Sequence, residues 1–266
     1  MCRLCWGDED DGPLVRPCAC RGSIKFIHEH CLEKWRRTSP KEDAAYRCGQ
    51  CMDEYRDALS LELLSTRLQA ERTNGEGTVF TMNTLATELK VQGKYDEAEP
   101  LYRQALEVNR EMLGNRHPST LNSISNLGVL LYSKGDHAAA EPLLREALEG
   151  KRETLGSRHP STLISISSLG GLLWVKSDLA AAEPLCREAL EGRRETLGKR
   201  HPSTLSSINN LSALLHTKGD FAAAEPLLRE ALEGLQETLG SRHPSTVNTT
   251  TNLVTLMAKV DLAVPS

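Results

Sequence analysis

The sequence predicts a mostly α-helical protein built of two unlike parts, a small metal-organised module and an α-solenoid. Two observations predict it. Seven of the eight cysteines stand before residue 52, in short pairs completed by a histidine. The tetrapeptide His-Pro-Ser-Thr then recurs at 117, 159, 201 and 243, a strict period of 42, and self-similarity at such a period marks stacked supersecondary units. Composition agrees: aromatics are only 4%, too few for a large aromatic core, and the apolar content is mainly Leu and Ala, which suits helices.

Charge and hydropathy exclude several partners. A formal net charge of −4, with both signs interspersed, argues against nucleic acid and against an anionic membrane surface. No membrane span is expected, because the longest apolar stretches, such as 169–175, fall far short of the ~20 residues needed. No signal peptide is expected. The expected setting is reducing: the cytoplasm, with the nucleus as second candidate, where cysteine pairs bind metal. The first cysteine stands at position 2, so either the module tolerates a bare start or the chain continues upstream.

Residues 1–57 form the predicted metal module. Cys2 and Cys5 make a CxxC pair, as do Cys48 and Cys51, and Cys18 and Cys20 make a tighter CxC. Seven residues separate Cys20 from His28, and two separate His28 from Cys31. Each pair offers two donors to one side of a metal, and two pairs close a tetrahedron. The eight ligands Cys2, Cys5, Cys18, Cys20, His28, Cys31, Cys48 and Cys51 therefore fill two zinc sites with none left over. His30 competes with His28, but only His28 has the clean two-residue spacing; His30 is expected on an exposed helix face. So short a module cannot bury enough apolar surface to fold alone. Its two zinc ions must supply the fold, at ~10–16 kcal/mol for a structural site.

With these ligands in view, the module resembles the RING-CH (RING-variant) domain of the membrane-associated RING-CH ubiquitin ligases. Leu4 inside the first knuckle, Pro17 before Cys18, Gly22-Ser23 after Cys20, Cys31-Leu32-x-x-Trp35 and Tyr55 strengthen the likeness. The PHD finger shares the ligand order, and Tyr46 matches an aromatic of that family; the tight CxC and the seven-residue gap favour RING-CH. The resemblance implies a cross-braced pairing, Cys2, Cys5, His28 and Cys31 on one zinc, Cys18, Cys20, Cys48 and Cys51 on the other. It also implies an activity without a catalytic residue of its own: the module holds a ubiquitin-charged conjugating enzyme in a reactive geometry while a substrate lysine attacks, which is catalysis by positioning. Leu4 and Trp35 match the docking groove for that enzyme, and Trp35 equally suits an anchor between the zinc loops. Two features depart from the family. Met52 stands just after the last ligand, where many active RING domains carry a cation, and a thioether donates no charge-assisted hydrogen bond. Membrane spans, present in the best-known RING-CH ligases, are missing.

Residues 58–77 form a junction. Leu59, Leu61, Leu63, Leu64 and Leu68 favour a helix that Asn74-Gly75-Glu76-Gly77 ends. Leu59 and Leu64 fall two periods before Leu143 and Leu148, so the segment reads either as a decayed second helix capping the array or as a plain connecting helix.

Residues 78–266 hold four full repeats and a final helix. In the second unit Ile124, Leu127, Gly128, Leu131, Ala140, Leu144, Ala147 and Leu148 follow the tetratricopeptide pattern of two antiparallel helices. Gly135-Asp136 is the turn, with Asp136 a ready N-cap. The closing proline comes eight residues late, at Pro160, so the second helix is about two turns longer than in a 34-residue repeat. Pro142 is expected near that helix's start, where a lost donor costs least. His117, His159, His201 and His243, each a whole repeat apart, cannot share a metal and are expected in turns. Cys186, standing where Leu144 stands one unit earlier, is expected as a buried filler, and Glu141, Arg145 and Glu149 as a solvated face of i,i+4 pairs.

The Ala-Glu-Pro-Leu and Leu-Gly-x-x-His-Pro signatures resemble the 42-residue kinesin light chain repeats. That resemblance implies a concave groove lined by first helices, binding an extended peptide or a protein substrate, with Asn126, Asn210 and Asn252 at the positions whose amides hold peptide backbone; the third unit has Ser168 and the first Thr84. The same amides could instead join neighbouring helices. Near-identical repeats are expected to leave the groove little individual character. The favoured reading is a soluble RING-CH ubiquitin ligase whose repeats recruit substrate. The alternatives are a non-catalytic zinc-binding scaffold and a kinesin light chain-like cargo adaptor; the chain has no heptad coiled coil for a motor heavy chain.

Overall fold

A computed structural model of the chain describes residues 14–15, 27–38, 58–74 and 78–263. Among them it is helical but for one two-stranded ladder, and it divides into two compact units, Met1–Asn109 and Arg110–Ser266.

In the first unit, β1 (Leu14–Val15) pairs antiparallel with β2 (Ile27–His28), Leu14 opposite His28 and Val15 opposite Ile27. β2 runs directly into α1 (Glu29–Thr38). α1 buries Leu32 and Arg36, one turn apart, and leaves Cys31 and Trp35, also one turn apart, half-buried. α2 (Ala58–Asn74) is the helix expected of the junction, and Leu64 and Leu68 bury its inner face. The Arg37 guanidinium reaches Glu62 of α2 at 2.9 Å. α2 packs on α3 (Thr78–Val91), where Thr81 Oγ1 donates to Glu71 Oε1 at 2.9 Å. α4 (Tyr95–Leu113) follows a turn at Gly93 and continues into the second unit. Tyr102, where the later repeats have Leu or Cys, is buried and bonded to Thr87 at 2.8 Å.

The second unit stacks α5 (Pro118–Lys134), α6 (His137–Leu155), α7 (Pro160–Val175), α8 (Leu179–Leu197), α9 (Pro202–Lys218), α10 (Phe221–Leu239) and α11 (Pro244–Ala263). Each helix packs on the next in sequence, the order expected of stacked hairpins. All eight positions of the predicted pattern in the second unit, Ile124 to Leu148, are buried. Second helices of 19 residues account for the long period. Asp136, Asp178 and Asp220 cap them through the N–H of Ala139, Ala181 and Ala223. Within each hairpin the helices approach closely: a Cβ on Gly192 would stand 2.4 Å from Leu163 Cδ2, and the periodic Gly150 and Gly234 meet Leu121 and Leu205 in the same way.

Three local expectations need refinement. The repeat histidines are more than turn residues. His117, His159, His201 and His243 each accept, through Nδ1, the N–H two residues on, and so cap the first helices that begin at the following proline. Pro142 is the sixth residue of α6, beyond the first turn, so one intrahelical bond is lost there. Glu141 does pair with Arg145 at i,i+4, 2.7 Å away, but it also takes Lys176 from the next repeat, and Glu183 takes Arg187 and Lys218 likewise. These bonds to Lys176 and Lys218, with those to the arginines, hold both carboxyls below the usual carboxylate range.

Candidate functional site

Two of the eight predicted zinc ligands lie in the described residues, and the ladder explains their placement. His28 ends β2, and Cys31 sits in the first turn of α1, three residues on. A strand running without a break into a helix fixes the backbone spacing of such a pair. The ladder also brings together the chain on either side of residues 16–26, the segment that carries Cys18 and Cys20. Cys2, Cys5, Cys18, Cys20, Cys48 and Cys51 lie outside the described residues, as do Leu4 and Met52. The donor set fits zinc: thiolates with one imidazole, paired at knuckle spacing, are the ligands of structural zinc sites. Trp35, half-buried one turn after Cys31, keeps part of its ring at the surface beside the predicted ligand.

The repeat groove is described in more detail. A cavity of about 270 Å³ opens among α5, α7 and α9, lined by Val129, Tyr132, Ser168, Gly171, Trp174 and Asn210, with Cys186 at its base. A second of about 270 Å³ lies beyond Trp174, lined by Ala213, His216, Thr217, Asn252 and Thr255. Two of the three predicted groove amides, Asn210 and Asn252, thus face cavities, while Asn126 is half-buried on α5. Bonds between neighbouring first helices come from other residues: Ser161 donates to Asn122 at 3.0 Å, and Asn209 and Thr249 bond at 3.2 Å. Cys186 is buried, as expected, and burial raises its thiol, with Glu183 adding to the effect.

Sequence reasoning did not single out two features. Tyr132, Trp174 and His216 occupy one repeat position, 42 residues apart, and each faces a cavity; the period itself carried that signal. Lys151 is 2% exposed, its Nζ donating to Ser125 Oγ at 2.8 Å and Ser165 Oγ at 3.0 Å, and burial lowers its pKa to about 8.

A ligand pair at a strand-to-helix junction, upstream of stacked 42-residue hairpins, defines a modular protein: a zinc finger joined to a helical repeat array. Comparison with known families specifies both halves. The tetratricopeptide repeat model matches residues 77–153 and 161–237, more than half the chain, and the RING-variant domain model matches residues 2–51. The chain belongs to the tetratricopeptide repeat family and carries a RING-variant domain at its N-terminal end. Its N-terminal part is similar to the ERAD-associated E3 ubiquitin-protein ligase DOA10 of Saccharomyces cerevisiae, 44% identical over 55 residues, which cover 19% of this chain and 4% of that one. It is also similar to the E3 ubiquitin-protein ligase MARCHF5 of Xenopus laevis, 43% identical over 61 residues, 20% of this chain and 22% of that one. The chain therefore spans less than a quarter of the length of these ligases. Among solved structures, a Podosopora anserina kinesin light chain-type protein with nearly identical TPR-like repeats superposes with a TM-score of 0.63 at 26% identity, over 70% of this chain and 87% of that one. BtubC (BKLC) from P. vanneervenii shares the fold, with a TM-score of 0.64 at 22% identity, over 76% of this chain and 80% of that one. No helix of the described residues is long and apolar enough to cross a membrane.

Proposed function

We propose that this protein is a RING-type ubiquitin-protein ligase that positions a ubiquitin-charged conjugating enzyme with its N-terminal module and recruits a protein substrate with its repeats. The observation that carries the reading is the His28–Cys31 pair at the β2–α1 junction, inside a RING-variant match whose relatives are E3 ubiquitin-protein ligases. The module is assigned residues 1–57 and two zinc ions, one on Cys2, Cys5, His28 and Cys31, the other on Cys18, Cys20, Cys48 and Cys51. Bound zinc supplies folding energy and holds the thiolates deprotonated. The chain's own residues do the rest. Leu4 and Trp35 form the docking surface for the conjugating enzyme, and the substrate lysine attacks the thioester without a covalent intermediate on this chain. The junction, residues 58–77, joins the module to the array at 78–266, where Asn126, Asn210 and Asn252 offer amides to the backbone of a bound peptide. The cytoplasm, or the nucleus, is the assigned compartment.

Met52, in the place where a bridging cation stands in many active RING domains, favours a second reading: a zinc-organised scaffold or cargo adaptor without ligase activity. Discharge of ubiquitin from a panel of charged conjugating enzymes separates the two. The zinc-loaded chain should accelerate discharge, and Leu4→Ala and Trp35→Ala, with zinc retained, should abolish the acceleration. No acceleration with any enzyme, at full zinc occupancy, leaves the scaffold reading.

A further inference from the structure

The three complete repeats that begin at His117, His159 and His201 differ in a patterned way. The second helices change at four positions, Lys151/Arg193/Leu235 and Arg152/Arg194/Gln236 among them, and keep the rest of their exposed residues, with Arg145, Arg187 and Arg229 in one register and Glu149, Glu191 and Glu233 in another. The first helices change at more positions. Asn122 becomes Ile164 and Ser206; Val129 becomes Gly171 and Ala213; Ser133 becomes Val175 and Thr217. Together with the Asn126 position, these columns follow i, i+4, i+7 and i+11, one face of a helix, and the Tyr132 column flanks them. Exposure alone would let both helices drift. Change is densest on the groove face, although Gly128 also becomes Ser212 in the buried row, so the groove differs from repeat to repeat more than near-identity suggests.

That face is uncharged. No Asp, Glu, Lys or Arg lines either cavity, and α5, α7 and α9 contain no acidic residue. Lysines occur only at or just past their C-terminal ends, and Lys176 and Lys218 are engaged by Glu141 and Glu183. The lining offers aromatic walls at Tyr132, Trp174 and His216 instead. It also offers amides at Asn210 and Asn252 that make no bond to another helix, and the buried, unpartnered Nε2 of His216. Room exists in the third unit because a Cβ on Gly171 would meet only Tyr132 Oη, at 4.0 Å.

We infer that this groove takes an uncharged segment of a protein partner in polyproline II conformation, with bulky apolar side chains three residues apart, one on each side of Trp174. Packed helices stand about 8–10 Å apart. A polyproline II chain rises ~3.1 Å per residue with three residues per turn, so every third side chain returns to one face after ~9 Å. Aromatic-lined grooves suit that conformation, which loses little entropy on binding, and the free amides match its unpaired backbone. The inference rests on the repeats being the recruiting half of the molecule.

A displayed library of random peptides, selected on the intact zinc-loaded chain, tests it. The expected winners have near-zero net charge and apolar residues at every third position, often with proline. Their affinity should change less than about twofold between low and high salt and fall at least about tenfold on Trp174→Ala or Gly171→Leu. A Cβ at Gly171 meets only Tyr132 Oη at 4.0 Å, and an unchanged far-ultraviolet circular dichroism melt of Gly171→Leu separates blockage from misfolding. Ubiquitin discharge should be unchanged in both variants. Acidic or basic winners with steep salt dependence overturn the chemistry and leave the groove as a recruiting site. No winners, or winners indifferent to both variants, overturn the groove and the recruiting role together.

Discussion

Replacing Lys151 by Leu removes a buried ammonium that bonds two hydroxyls and pairs with no carboxylate among the described residues. The chain already contains the comparison: the same repeat position is Arg193 one unit later, whose guanidinium reaches Ser207, and Leu235 two units later, itself buried. Burial drops the Lys151 pKa from 10.5 to about 8, which corresponds to about 3 kcal/mol held against the charged form. The substitution forfeits the bonds to Ser125 and Ser165, but those hydroxyls stand 3.3 Å apart and can satisfy each other, so about 1 kcal/mol is lost. The net expectation near neutral pH is a gain of about 2 kcal/mol, or about 4–8 °C in melting temperature for a chain of this size.

The pH dependence has a definite sign. Below about 8 the lysine is charged in both folded and unfolded states, and the penalty applies in full. Between about 8 and 10.5 the unfolded chain binds more protons, so stability of the native protein rises with pH through that window. The Leu variant lacks this gain, and its advantage should shrink towards zero at the alkaline end. The Cys186 thiol, raised by burial, works in the opposite direction above its unfolded value but is common to both proteins and cancels in the difference. Thermal melts followed by far-ultraviolet circular dichroism, with both proteins at neutral and alkaline pH, read the effect. A variant less stable than the native protein at neutral pH, or an advantage that does not narrow with pH, refutes the reasoning.

Two further outcomes are expected. Ser177 occupies the left-handed turn at φ 65 that Gly135 and Gly219 fill in the neighbouring units; Ser177→Gly should raise stability by about 1 kcal/mol, read by urea titration, whereas Gly135→Ser should lower it by a similar amount. Stripping zinc with a chelator should expose residues 1–57 to protease while the fragment from α5 onward persists, read by mass spectrometry of the digest, with two zinc ions released per chain; simultaneous loss of both halves would contradict separate folding.

Legibility in the sequence followed from how local each interaction is. The repeat core could be read because every unit buries the same face, so Ile124, Leu127, Leu144 and Leu148 announce themselves through period and spacing alone. The helix boundaries were readable where the capping residue is a customary one, as at Asp136. They were under-read at His159, whose ring nitrogen performs the same task, because imidazole is not among the usual capping side chains. Glu141 looked like half of an i,i+4 pair, and it is one, but its second cation comes from Lys176, 35 residues on. Only the stacking of one hairpin on the next brings that lysine within reach.

The groove required both kinds of information. Period 42 lists Tyr132, Trp174 and His216 in one column, but the column acquires meaning only when the fold shows that it lines cavities. Variation is densest on that face, while the second helices keep most of their exposed residues. Inter-repeat ion pairs such as Arg152–Glu188 and Arg194–Glu230, each 2.5 Å, recur in every complete unit that has both groups. They tie consecutive second helices together on the surface and ask nothing of the first. A helix relieved of that task can change its exposed residues at little cost to the stack, because its buried positions, Leu121, Ile124 and Leu127 and their repeats, already carry its packing. Specificity in this architecture is therefore cheapest to alter where it is read, on the exposed face of the first helices.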